Sequence, residues 1–119
     1  MNKDFFAFYG IDYDNGLNNC MGDTSFYKAM LSSFTEDACY RNAKNALQSK
    51  DYEALFDCFH ELKGVCGNLG LSELYNVVAE TVELLRGGKY EEAKITRLFV
   101  AFEKAYFNAC EGIEYIINA

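Results

Sequence analysis

Apolar residues recur at steps of three and four through most of the chain, and the interruptions of that rhythm divide it into helical segments. Phe26, Tyr27, Met30, Leu31, Phe34, Ala38 and Leu47 predict one long first helix, capped by Asp23 or Thr24 and closed at Gln48-Ser49-Lys50. Asp51 caps a second helix that carries Tyr52, Leu55, Phe56, Phe59, Leu62, Cys66 and Leu69, and Gly70 suits a left-handed stop. Ser72 starts a third, with Leu74, Val77, Val78, Leu84 and Leu85 on one face and Gly87-Gly88 at its end. The fourth begins near Glu91-Glu92, whose charges suit a helix N-terminus, and runs to about Ile117. Its apolar residues Ile95, Phe99, Phe102, Tyr106, Ala109, Ile113 and Ile116 alternate steps of four and three, the seam of bundle packing. Before these, Phe5 to Tyr9 holds four aromatics in five residues and reads as a short helix lying as a lid, and Asp12 to Gly22 as another short helical piece. The expected fold is all-α: an antiparallel up-and-down four-helix bundle with short N-terminal helical segments packed on it, residues 1–119 forming a single domain.

Composition narrows the function. The chain has no proline, which long uninterrupted helices do not need, and half its residues are hydrophobic with 24% charged. A net charge of −7 repels phosphate backbones and anionic lipid, so neither nucleic acid nor a membrane is an expected partner. Five cysteines, Cys20, Cys39, Cys58, Cys66 and Cys110, form no C-x-x-C pair and read as reduced apolar filler. With no signal peptide and no apolar run of about 20 residues, a cytoplasmic location is expected. Met1 and the self-contained length favour a free-standing chain.

One position stands apart chemically. On a helical wheel of about 100° per residue with His60 at zero, Leu55, Cys58, Phe59, Leu62, Val65, Cys66 and Leu69 fall between about 140° and 260°. The only histidine in the chain therefore points to solvent from the middle of the second helix. Gly64 and Gly67 lie within about 40° of it, and Lys63 is its i+3 neighbour. An exposed helical glycine costs about 1 kcal/mol against alanine, and the bundle's own core does not call for two on its wet side. They leave a bare strip of backbone beside an imidazole and an ammonium, open to a phosphoryl group or another protein's loop. Taken singly, the histidine, the lysine and the glycines each have blander readings as solvated or fraying positions; their conjunction on one face does not.

The run His60-Glu61-Leu62-Lys63-Gly64-Val65-Cys66-Gly67-Asn68-Leu69-Gly70 resembles the signature of the histidine-containing phosphotransfer (HPt) domain family, H-x-L-K-G followed by G-N-L-G. Gly10-Ile11-Asp12 is similar to the family's entry segment, and Phe34 extends the resemblance to the first long helix. The resemblance implies that His60 is the phosphoacceptor, that Lys63 helps hold the phosphoryl oxygens, and that Gly64 leaves room for the group and a docking receiver domain. Cys66 departs from the family's usual small residue, but it faces the core and is expected to have no chemical role.

The residues agree with that chemistry. A neutral imidazole is a competent nucleophile near neutral pH, and phosphoryl transfer needs mainly alignment and charge stabilisation, which a second protein can bring. The chain has no P-loop and no kinase glycine loop, so kinase activity of its own is not expected. Expected partners are response-regulator receiver domains and a hybrid sensor histidine kinase; no cofactor or metal is expected, and a monomer is the default. Phe56 lies about 40° from His60 and either packs on its own bundle or joins a receiver-docking patch. Glu53 and Asp57, within about 60°, are partner-selecting or incidental, and Gly67 belongs to the same binding strip. Two other classes compete: a bundle that docks receivers without carrying phosphate, and a metal or haem bundle. The second is disfavoured because Asp57-x-x-His60 is a single pair and points outward.

Overall fold

The computed structural model describes residues 3–88 and 90–119. They form seven α-helices: α1 (Lys3–Ala7), α2 (Tyr13–Asn19), α3 (Thr24–Glu36), α4 (Cys39–Gln48), α5 (Tyr52–Leu69), α6 (Ser72–Arg86) and α7 (Glu92–Ile117). There is no strand among the described residues. No helix among them is long and apolar enough to cross a membrane.

The first long helix foreseen from the sequence is two helices. Asp37 adopts extended backbone, φ −70° and ψ 145°, and ends α3. Its carboxylate then accepts a 2.8 Å hydrogen bond from the Cys39 amide, which starts α4. Ser32, Ser33, Thr35 and Asp37 cluster at this point, and short polar side chains offer the backbone local alternatives to the helical ladder; the Thr35 hydroxyl donates to Ser32 O at 2.8 Å. Beyond the break, α4 buries only the small Ala43 and Ala46, while the Tyr40 ring stacks on Tyr106 of α7 at 4.7 Å.

The other boundaries follow the local rules. Asp51 caps α5 by accepting from the Ala54 amide at 3.1 Å, and Gly70 terminates it at φ 74°. Antiparallel packing shows in the side-chain pairs: Phe56 of α5 lies by Arg86 of α6 and Gly67 by Tyr75, while Tyr40 and Lys44 of α4 meet Glu103 of α7. All seven seam residues named on α7 are buried. At mid-bundle the fully buried Phe59 packs against Phe102 at 4.7 Å and Phe99 at 6.2 Å.

The N-terminal segments lie on this frame as foreseen. Phe6 is buried and Phe5 makes an edge contact with Tyr115 of α7, although Phe8 is 81% exposed and takes no part in the lid. The Gly10–Asp12 segment joins the α5–α6 turn, where the Asp12 amide donates to Gly70 O at 2.7 Å and the Glu73 amide to Gly10 O at 3.2 Å.

Candidate functional site

The site is carried by α5. Its inward residues Leu55, Phe59, Leu62, Cys66 and Leu69 fix the helix's rotation by burying apolar surface, and His60 lies exposed on the opposite side. Val65, placed with the core on the wheel, is instead 38% exposed, because the helices that would cover it part there.

The imidazole is oriented by its neighbour one turn back. The Phe56 ring stacks on it with centroids 5.7 Å apart and planes 26° from parallel. Phe56 is half-buried and packed against the core, so it serves its own bundle and supports the histidine from below. Arg86, the last residue of α6, brings its guanidinium carbon to 5.8 Å from the Phe56 ring centroid. Sequence reasoning missed this arginine. The signal was the hairpin itself: a chain folded back about Leu71 pairs positions equidistant from it, Gly67 with Tyr75 and Phe56 with Arg86.

The two glycines play different parts. A side chain added at Gly64 would meet nothing within 4 Å, so this position is open backbone one turn from His60. Gly67 corrects the sequence expectation of a second bare position: its Cα lies against the Tyr75 ring, whose edge would sit 3.3 Å from an added Cβ. Packing between α5 and α6 accounts for Gly67; only Gly64 is unexplained by the bundle. Lys63 is half-buried and has no ion pair among the described residues; Glu53, Asp57 and Glu61 are exposed and likewise unpaired there.

The far end of α5 is held from outside. Tyr27 donates its hydroxyl to Leu69 O at 2.8 Å, Asn19 donates to Asn68 O at 3.0 Å, and the Asp12 amide takes Gly70 O. These bonds satisfy carbonyls that a helix C-terminus leaves without partners, so the Gly67-Asn68-Leu69-Gly70 run anchors the histidine helix. The nearby thiols are quiet. Burial pushes the Cys39 thiol up to about 12 and Cys66 still higher; Cys58 is raised first by burial and then by the Asp57 and Glu61 carboxylates.

A lone exposed imidazole on an anchored helix, with an open glycine one turn on and cations nearby, is a nucleophile that a second macromolecule can reach. Against known families, the Hpt domain matches residues 29–101, well over half the chain and spanning His60 to Gly70. The chain belongs to the Hpt domain family. Such domains serve histidine phosphotransfer in phosphorelays, as carrier modules that work with receiver domains and histidine kinases. No curated protein and no solved structure matches the chain.

Proposed function

We propose that this chain is a phosphoryl carrier in a two-component phosphorelay: His60 accepts the group from a receiver's phospho-aspartate and passes it to a second receiver. One observation carries the reading: within the Hpt match, the chain's one histidine is exposed beside a glycine with nothing within 4 Å of where its side chain would be. In the forward step a lone pair on one ring nitrogen of neutral His60 attacks phosphorus. The P–O bond to the bridging carboxyl oxygen of the aspartyl phosphate breaks, and its electrons regenerate the aspartate carboxylate. The imidazole proton stays on the other nitrogen or passes to water, and the second receiver's aspartate reverses the sequence. Lys63 supplies positive charge to the phosphoryl oxygens, and Gly64 gives the receiver's loops access. Any divalent cation the transfer uses belongs to the receiver. The carrier acts as a cytoplasmic monomer, as one domain and without kinase activity of its own.

The test incubates the chain with phosphorylated receiver domains. Acid-labile, base-stable label on the wild type, absent from His60→Gln, is the expected result. Binding of receivers with no label on the wild type would leave a phosphate-independent docking module instead.

A further inference from the structure

Resting on that carrier reading, we propose that the face around His60 is electrically two-sided and selects receiver domains whose docking helix carries an apolar side chain flanked by lysine or arginine. To one side of His60 on α5 lie Phe56 and Lys63, the lysine unpaired among the described residues, joined by Arg86 from α6, whose guanidinium also pairs with Glu83 at 3.6 Å. To the other side, beyond Gly64, come Asp57 and Glu61, exposed and without an ion pair among the described residues. The wheel places them about 60° and 100° round from His60, with Val65 next at about 140°.

On that acidic side the surface opens into a cleft of about 260 Å³ between α3, α4 and α5. The break at Asp37 creates it, turning the chain before α4 settles on α5. Met30, Phe34, Leu62 and the 38% exposed Val65 line it with apolar surface, while Asp37 from the α3–α4 break and Glu61 from α5 add carboxylates to the lining. Val65 is five residues from His60, about 8 Å along the helix axis. The exposed run His60, Gly64, Asp57, Glu61 and Val65 leads round α5 to the mouth of the cleft, so a protein that covers this flank together with His60 reaches it.

Charge identifies what fits. Asp37 and Glu61 in the cleft lining, with Asp57 one turn before Glu61 on α5, favour a cation beside the apolar anchor, and the pairing orients the visitor. Its acidic phosphorylation pocket then faces Lys63, and its basic flank faces Asp57 and Glu61. A second copy of this chain, at net charge −7, is a poor occupant of an acid-rimmed cleft.

The experiment measures Kd by calorimetry for the full chain against purified receiver domains, some with basic and some with acidic residues on the helix beside the phosphorylation pocket. Phosphotransfer label is recorded in parallel. The expected result is that basic-helix receivers bind at least about tenfold tighter at low salt, and that Asp57→Lys with Glu61→Lys removes or inverts the ranking. Val65→Asp weakens every tight receiver, and Glu114→Lys on distant α7 serves as the charge control. Unfolding midpoints by circular dichroism confirm that each variant is folded. A ranking unchanged by the double reversal in folded protein overturns the proposal. Label on His60 without any charge ranking overturns it while leaving the carrier reading intact. Ranked binding without label upholds the docking surface and overturns the carrier reading.

Discussion

Gly64 and Gly67 look alike on a helical wheel and differ in what surrounds them, and the difference can be measured. At Gly64 an alanine meets nothing, so only helix propensity acts, and Gly64→Ala should raise stability by about 1 kcal/mol, a midpoint gain of about 4 °C. The same change should slow phosphotransfer from a receiver, because the methyl group occupies the approach to His60. Gly67→Ala should gain less, since the Tyr75 ring must give way to the new Cβ. Thermal unfolding of both variants beside transfer kinetics checks the pair; a faster or unchanged Gly64→Ala carrier would remove its role in access. Lys63→Ala should slow transfer by about tenfold, the loss of about 1.4 kcal/mol of transition-state stabilisation, with little change in the unfolding midpoint. The thiols of Cys39 and Cys66, held protonated by burial, should stay silent to a thiol reagent at neutral pH until the chain is unfolded in denaturant.

The helix that bears the histidine is defined at both ends by single residues. Asp51 accepts from the Ala54 amide, and Asp51→Ala should cost about 1 kcal/mol in denaturant unfolding. Gly70 stands at φ 74° with the Asp12 carbonyl packed against its Cα, so Gly70→Ala should cost more than the about 1 kcal/mol of left-handed strain alone. It should also loosen the anchoring bonds to Asn19, Tyr27 and Asp12, visible as faster amide exchange at the end of α5. Both caps were legible in the sequence because they depend on residues adjacent along the chain. The break between α3 and α4 was less so. Phe34 and Ala38 keep a helical step across it, but the local hydrogen bonds of Thr35 and Asp37 override the pattern, and α4 then packs on α5 with the half-buried Tyr40 stacked on Tyr106.

Across the whole molecule, α4 is fastened to α7 by a polar clamp over stacked rings. Tyr40 donates to Glu103 at 2.5 Å and Lys44 pairs with the same carboxylate at 3.2 Å. The Tyr40 hydroxyl holds the Glu103 carboxyl below its ordinary 4.5 against the opposing effect of burial, and Lys44 lowers it further. A carboxyl depressed in the folded state stabilises above its unfolded value and loses that contribution as the pH falls through the folded one. Stability should therefore decline below about pH 4.5, and Glu103→Gln should flatten that decline while lowering the midpoint slightly at neutral pH. Because the carboxylate is partly exposed, the neutral-pH loss should stay at or below about 1 kcal/mol. Thermal melts of both proteins from about pH 6 to 3 check this; parallel curves would remove Glu103 as the source.

Periodicity and capping chemistry are written in residues three or four apart, and they were enough to reveal an all-α bundle, the ends of α5, α6 and α7, and an outward-facing His60. Rotation of α5 follows from burying its apolar stripe, so the neighbours Lys63, Gly64 and Phe56 could be named before any fold was seen. Contacts between helices are not written in that spacing, and the symmetry about Leu71 pairs Phe56 with Arg86 and Gly67 with Tyr75 only once α6 packs antiparallel on α5. The approach of Arg86 to Phe56, the Tyr75 ring over Gly67 and the cleft beside Val65 depend on how α6, α3 and α4 pack against α5, and packing is decided by side-chain volume and shape rather than by spacing along one helix.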